Sequence, residues 1–453
     1  MQKIIFLNRY FYPDHSATSQ LLSELAFNLA EENMNIHVIA SGQRYDDSNE
    51  RLMRREVIRG VKVFRCRTTR FGRASLLGRM VDYLSYYISC TYTLAKIARK
   101  DDIIIAETDP PLISIPAAII SKIVHAKLIN WVQDLFPEVA IRLKIKGFNS
   151  PLSLVIKKLR NMALNTAEIN VVLGGCMADR LRHEGIKDDS VKIIHNWSDS
   201  RKIHPVNSNF NSLIKKWNLK NKFVVGYSGN MGRVHDFYTI MGAIKKLRNE
   251  KDIVFLFIGS GSQKPWVEEE VLRLGLTNVM FVPYQPYEKL SESLSAPDVH
   301  LITLKSDMEG LSTPSKFYGI AAAGRPVVFI GNGSGEIARI LKEENCGKVV
   351  DIGDVSYLVS TLYDLKRKKR QRSQMGDLAR QALVEKYDSN VAFSKWSIML
   401  RGLINENENF LNKKSIAIDP TNENICFLEE KMDILNEKNN ALVSRSISKY
   451  VHR

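Results

Sequence analysis

A chain of 453 residues with 44% apolar and 25% charged side chains is a folded protein too long for one ordinary core, so two domains are expected. A formal charge of +16 calls for an anionic partner or surface, and five scattered cysteines without a Cys-x-x-Cys pair exclude a disulfide scaffold and a zinc-ribbon spacing. No apolar run is long enough to cross a bilayer, and the amino terminus enters directly as a strand without a signal-peptide layout, which points to a reducing cytosol.

Strand and helix signals alternate almost throughout, the pattern of α/β layers on parallel sheets. Residues 3–7 predict a strand, 19–31 a helix and 36–40 the next strand. The loop between the first two, 8–18, is long and aromatic. In an open α/β sheet it lies on the binding rim, so Asp14, His15 and Ser16 are site candidates; helix capping is the plainer role. Residues 51–79 carry Arg51, Arg54, Arg55, Arg59, Lys62, Arg65, Arg67, Arg70, Arg73 and Arg79 against the single acid Glu56. Leu76, Leu77, Met80, Val81, Leu84, Tyr87 and Ile88 follow at the spacing of one helical face. Two readings stand here: docking on an acidic membrane surface, or a solvated face beside a buried helix. No nucleic-acid-binding motif accompanies the charge, so nucleic acid is not an expected partner.

Strand 103–107 ends in Thr108-Asp109-Pro110-Pro111, whose prolines stop it and start a helix over 113–124. Strand 127–133 runs into Asp134-Leu-Phe-Pro-Glu138, so two strands bring acids to the same rim, for sugar hydroxyls or for helix caps. Strands 168–173 and 191–195 complete a sheet of domain size, and the polar stretch 196–221 resembles a linker.

The second sheet opens with strand 223–227, broken by Ser228-Gly229-Asn230-Met231-Gly232, with helical periodicity resuming after Asp236. Bare backbone at Gly229 and Gly232, an open helix start and the planar cation of Arg233 predict a diphosphate cradle; a tight structural turn is the alternative. Strand 253–258 ends in a second glycine turn, Gly259 and Gly261. Strands 278–282 and 299–304 follow, separated by a helix around 289–295. In the segment 307–326, Glu309 falls in a loop, Thr313 or Ser315 caps a helix and Pro314 takes its first position. Lys316 follows in the first turn, where its charge opposes the helix dipole; Glu309 and Lys316 together could grip a ribose and a phosphate. After strand 327–330 and the turn 331–336 a helix is expected through Leu341, and helical sequence dominates to about Gly402. The Asn-, Glu- and Lys-rich tail beyond 405, with Leu428, Met432, Leu435, Asn439 and Leu442 at heptad-like spacing, reads as a mobile tail with one induced helix.

The stretches YSGNMGRVHDF (227–237), the glycine turn at 259–261 and EGLSTPSKFYGIAAAGRPVV (309–328), supported by the first loop, QDLFPE (133–138) and HNWSD (195–199), resemble the family-4 retaining glycosyltransferases of GT-B fold. The subset they resemble includes bacterial capsule, O-antigen and colanic-acid sugar transferases, over about residues 1–400. The resemblance implies an α/β fold of two Rossmann-like doubly wound domains facing across a cleft. Residues 1–200 would bind the acceptor and 201–385 the nucleotide-sugar; a helix over 386–404 would cross back, and 405–453 would be a mobile helical tail. Arg233 and Lys316 would hold the diphosphate with the backbone of Gly232, and Glu309 would lie near the donor sugar or ribose. Gln133 and Asp134 fall where many relatives carry an active-site His followed by another polar residue. Gly229, Asn230, Gly259, Gly261, Tyr284, Ser312, Thr313, Pro314 and Ser315 complete the implied substrate contacts. Two departures matter: Gly319 stands where relatives often carry a second glutamate, and Asp236 where many place a lysine. Glu309 and Glu336 therefore share the ribose candidacy. No Asp-x-Asp pair follows a strand, so leaving-group charge falls to Arg, Lys and a helix end, with no metal or cofactor expected. The implied reaction is transfer, with retention, from a UDP-sugar to a lipid-linked saccharide at the inner face of the cytoplasmic membrane. A nucleotide-sugar epimerase or hydrolase of the same fold, or a non-catalytic nucleotide-sugar-binding subunit, is the alternative.

Overall fold

The computed structural model describes residues 2–44, 52–71, 76–145, 147–148 and 151–416. Arg51, Arg73 and the heptad-like stretch from Leu428 to Leu442 lie outside the described residues. The chain divides into two compact units, Met1–Ser397 and Ile398–Arg453, and both sheets belong to the first.

The first sheet has the order β3-β4-β2-β1-β5-β6-β7-β8. Its strands are β1 (Lys3–Leu7), β2 (Asn35–Ser41), β3 (Arg55–Ile58), β4 (Val61–Cys66), β5 (Ile103–Glu107), β6 (Lys127–Val132), β7 (Ile169–Val172) and β8 (Val191–Ile193). All pairings are parallel except the edge pair β3–β4. The second sheet has the order β11-β10-β9-β12-β13-β14 and is wholly parallel. It comprises β9 (Phe223–Ser228), β10 (Ile253–Ile258), β11 (Val279–Val282), β12 (Val299–Thr303), β13 (Val327–Ile330) and β14 (Gly347–Val350). Central strands such as β5 and β9 are buried along their whole length, because helices cover both faces of each sheet. In both sheets the strand order reverses beside the first strand, between β1 and β5 and between β9 and β12. Loops at the carboxyl ends of these strands open a crevice there.

Several local expectations are corrected. The basic stretch contains the hairpin β3–β4, turned at Arg59 and Gly60, both with positive φ (47° and 82°), as a two-residue hairpin turn requires. A cation on the inward face of β4, Arg65 in line with Val61 and Val63, hid its period of two. Arg65 there is buried, bonded to Glu56 (3.0 Å) and to the carbonyl of Tyr12 (2.7 Å), so it belongs to the fold and not to a free basic surface. The helix expected from Pro314 starts at Lys316, because Ser312 is held extended by a bridge to Asp134 and leaves no room for an earlier turn. Ser315 is its N-cap residue but makes no side-chain cap bond. Strand β14 interrupts the stretch expected to be helical beyond Glu336; four residues are too few to register a period. The 196–221 stretch is anchored, since buried Trp197 stacks on Trp131 at 5.8 Å and donates Nε1–H to Glu24 (2.9 Å). Trp396 closes on Trp131 edge-on at 5.0 Å and Phe393 on Trp197 at 5.4 Å, so the start of helix Ser389–Ile416 packs on aromatic residues of the first sheet's half.

Candidate functional site

Strand β9 delivers the chain to Gly229, which turns at φ +117° and donates its N–H to the carbonyl of Ile258 (2.8 Å). Gly259 and Gly261, at φ +129° and +147°, form the neighbouring turn. A Cβ on Gly259 would stand 2.5 Å from the Gly229 carbonyl oxygen, and one on Gly261 would stand 2.5 Å from the backbone nitrogen of Met231. The two turns therefore touch backbone to backbone, an approach open only to glycine. Gln263, which carries no sequence signal, staples the loop by donating Nε2–H to the carbonyls of Gly232 (2.8 Å) and His235 (2.9 Å). The exposed ring of Tyr284 lies beside this turn, 3.1 Å from the space a Gly259 Cβ would take. Exposed Asn230 has its carbonyl held by the Tyr227 hydroxyl (3.0 Å).

Lys316 reaches into this cradle from the start of helix Lys316–Ala322, which follows the carboxyl end of the neighbouring parallel strand β12. Its stem crosses the bare face of Gly229, where an added Cβ would sit 3.0 Å from Lys316 Cε. The amine lies 2.9 Å from His235 Nε2 and 5.1 Å from the centroid of the Tyr227 ring. His235 donates Nδ1–H to the Thr303 carbonyl, so Nε2 is an acceptor and the lysine is the donor. Burial lowers the Lys316 amine to about 7. Burial, followed by the Lys316 charge, lowers the His235 imidazole to about 3, which keeps it neutral. The result is a lysine whose charge is incomplete until an anion arrives.

Two expectations for the cradle change. Helix Tyr238–Lys246 does not present an open start to a ligand, because the buried Asp236 carboxylate already accepts the N–H of Thr239 (3.1 Å). Exposed Arg233 extends to the other half of the molecule and donates to the carbonyl of Leu143 (2.7 Å).

The acidic candidates sit along the boundary between the two halves. The Glu309 carboxylate accepts the N–H of Glu336 (3.3 Å) at the start of helix Glu336–Glu343, and a Cβ on Gly335 would lie 2.2 Å from it. Burial raises the Glu309 carboxyl to about 7, and its Oε1 has no hydrogen-bond partner. Glu336 does not face the glycine turns. Its carboxylate accepts the N–H of Cys176 (3.0 Å), at the start of helix Gly175–His183 in the other half, and a bond from Arg339 (3.0 Å). A Cβ on Gly174 would collide with it at 2.2 Å. Each carboxylate thus fills a glycine-made notch at a helix start, and the second crosses between the halves. A cavity of ≈ 580 Å³ lies beside them, lined by Lys157, Cys176 and Arg180 from the first half and by Glu309, Gly310 and Asn332 from the second.

On the first sheet's rim, Asp134 and Ser312 form a β-bridge and Leu135 donates to the Leu311 carbonyl (2.8 Å), so the two loops meet. Half-buried Thr313, buried Pro314 and exposed Ser315 continue that loop. Gln133 is buried between Glu107 (3.3 Å), a residue not singled out from sequence, and Asn196 (3.1 Å) of the HNWSD stretch. Burial, and next the charge of Asp109, hold the Glu107 carboxyl well above the usual range, and its second oxygen has no hydrogen-bond partner. An acid ending the apolar run Ile-Ile-Ile-Ala-Glu was the available signal. Asp14 is buried and accepts the Ser16 N–H (2.8 Å), His15 is exposed, and Ser16 is the N-cap residue of helix Ala17–Glu31 without a side-chain cap bond.

Residues 209–382 match the family described as "Glycosyl transferases group 1". The glycosyltransferase WbjE of Pseudomonas aeruginosa, so named with "probable" attached, is 26% identical over 343 residues, 75% of this chain and 84% of that protein. WcaI of Escherichia coli (strain K12), whose name assigns it to colanic acid biosynthesis, is 24% identical over 351 residues, 75% of this chain and 85% of that one. Anabaena HepE, solved with UDP and glucose, superposes with a TM-score of 0.66 at 16% identity, covering 89% of this chain and all of that one. The two doubly wound sheets, the glycine turns facing Lys316 and these likenesses converge: residues 209–382 match a glycosyl transferases group 1 domain, and the chain around them has the GT-B fold.

Proposed function

We propose that the protein transfers a sugar from a nucleoside diphosphate donor, a UDP-sugar, with retention at the anomeric carbon. The acceptor is a lipid-linked saccharide at the inner face of the cytoplasmic membrane, and the product feeds a bacterial surface polysaccharide. The observation that carries this is the Lys316 stem laid across Gly229, with its amine beside Tyr227 and His235. A permanently paired lysine would contact a carboxylate; this one contacts a neutral imidazole and an aromatic face, an arrangement that leaves it available to an anion. The names of WbjE and WcaI and the UDP bound to HepE support the choice of reaction and donor.

In the reaction the acceptor hydroxyl bonds to the anomeric carbon as the bond from that carbon to the diphosphate oxygen breaks. The leaving phosphate takes the acceptor proton on the same face. Negative charge grows on the diphosphate as this bond breaks, and a cation set against it stabilises the transition state more than the ground state. Lys316 supplies that charge, Arg233 joins it on release from Leu143, and the bare backbone of Gly229 and Gly232 lets the phosphates approach. In this reading the route is metal-independent, the leaving-group charge being met by these cations and backbone groups. Glu309 faces the donor sugar hydroxyls and Tyr284 lies beside the base. Gln133, Asp134, Asp14, His15 and Ser16 line the acceptor side, on the half spanning about residues 1–200.

The test is a thermal-shift screen of nucleotides and nucleotide-sugars, followed by transfer assays with membranes. A ligand that binds only the folded state raises the melting temperature. A UDP-sugar should raise it, Lys316→Met should abolish the rise and the transfer together, and donor turnover without acceptor would replace the transferase with a hydrolase.

A further inference from the structure

Three neighbouring helices over the first sheet turn apolar side chains to solvent. On helix Leu76–Ile97, Leu77, Val81, Leu84, Ile88 and Tyr92 lie on one face with exposures from 43% to 75%, while Tyr86, Cys90 and Leu94 on the other face are buried in the core. Helix Ser114–Val124 exposes Ile119 and Ile123, and helix Pro151–Thr166 exposes Leu152, Val155, Leu159 and Met162 along one stripe. The first helix packs on the second and the second on the third, so the stripes lie side by side.

Charge on these helices has one sign. Their single carboxylate, Asp82, is 2% exposed and is held by the Thr69 hydroxyl (2.7 Å) and the Phe71 N–H (3.1 Å). Arg79, Lys96, Lys122 and Lys158 are exposed. A water-facing helix surface ordinarily mixes acids and bases; a wide apolar face carrying only cations fits a layer of lipid tails under anionic headgroups. The long helix, about 33 Å by its rise per residue, is not apolar enough to cross a membrane.

We infer that these three helices together form a docking surface that lies flat on an anionic lipid bilayer, with the apolar stripes in the acyl boundary and the cations at the phosphates. The inference rests on the membrane acceptor proposed above and widens the contact from one helix to three.

The full chain is sedimented with vesicles of phosphatidylethanolamine and phosphatidylglycerol, and with vesicles of phosphatidylcholine alone. The wild type should bind the anionic vesicles and not the neutral ones. Leu84→Glu, Ile123→Glu and Leu159→Glu, one per helix, should each lower binding at least about tenfold. All three positions are exposed, so melting temperature and its rise with UDP-sugar should stay unchanged. Loss confined to Leu84→Glu, equal binding to neutral vesicles, or no binding at all would overturn the inference. So would a wild-type dimer in light scattering that the three variants convert to monomer, since a second copy would then be the occupant. Vesicle binding without any UDP-sugar shift would overturn the donor assignment and leave this surface standing.

Discussion

If Lys316 is the diphosphate contact, donor affinity must fall as pH rises through the range where its amine loses a proton. Burial holds that amine at about 7 in the free protein, against 10.5 for an ordinary lysine. A diphosphate beside it favours the charged form and raises the value in the complex. The lysine is then protonated in both states below about pH 7, and binding takes up a proton between about pH 7 and 10.5. If the complex restores the ordinary value, affinity drops about 50-fold from pH 7 to pH 9, about 2.3 kcal/mol at 1.36 kcal/mol per unit. A UDP-sugar serves as ligand because its diphosphate does not titrate in this range, and calorimetry in two buffers of different ionisation enthalpy reads the proton uptake directly. Glu309 also titrates near 7 and would add loss of the same sign by placing a negative charge near the donor. The lysine part is isolated by Lys316→Arg, which stays charged and should flatten most of the dependence. A wild-type affinity flat from pH 7 to 9, or the same slope in Lys316→Arg, would refute the assignment.

Other outcomes follow from the same geometry. Gly261→Ala places a Cβ 2.5 Å from the Met231 backbone at φ +147°, so it should cost about 1–3 kcal/mol in urea unfolding and remove the UDP-sugar melting shift. The Glu309 carboxyl is raised from 4.5 to about 7, so the folded state binds more protons there and stability declines as pH rises between those values. Glu309→Gln should therefore gain up to about 3 kcal/mol relative to wild type between pH 5 and pH 8, read from urea midpoints at both. Glu336→Ala leaves the Cys176 N–H without its acceptor and should destabilise by about 1–3 kcal/mol. Trp396→Ala empties a fully buried site against Trp131 and should cost about 3–5 kcal/mol in the same measurement.

The sequence by itself determined the two-sheet α/β plan, because strands buried on both faces must be nearly continuous apolar runs, and Ile103–Glu107 and Phe223–Ser228 are such runs. It also singled out Gly229, Gly259 and Gly261, since glycine between a strand and the following turn marks backbone that a side chain would block. Hairpin β3–β4 stayed hidden because its edge strand β3 is short and largely exposed, and because in β4 a buried Arg65 continues the inward row of Val61 and Val63. Only the tertiary structure decided what the polar side chains do. Asp236 and Glu336 differ from Glu309 in their partners, not in their chemistry: one occupies the start of its own helix, and another reaches a helix 160 residues away at Cys176. The tuning of Lys316 is likewise a matter of place, because desolvation and the neutral face of His235 depend on which strand ends are brought together. Short polar contacts are made between segments far apart in the chain, and no local pattern records them.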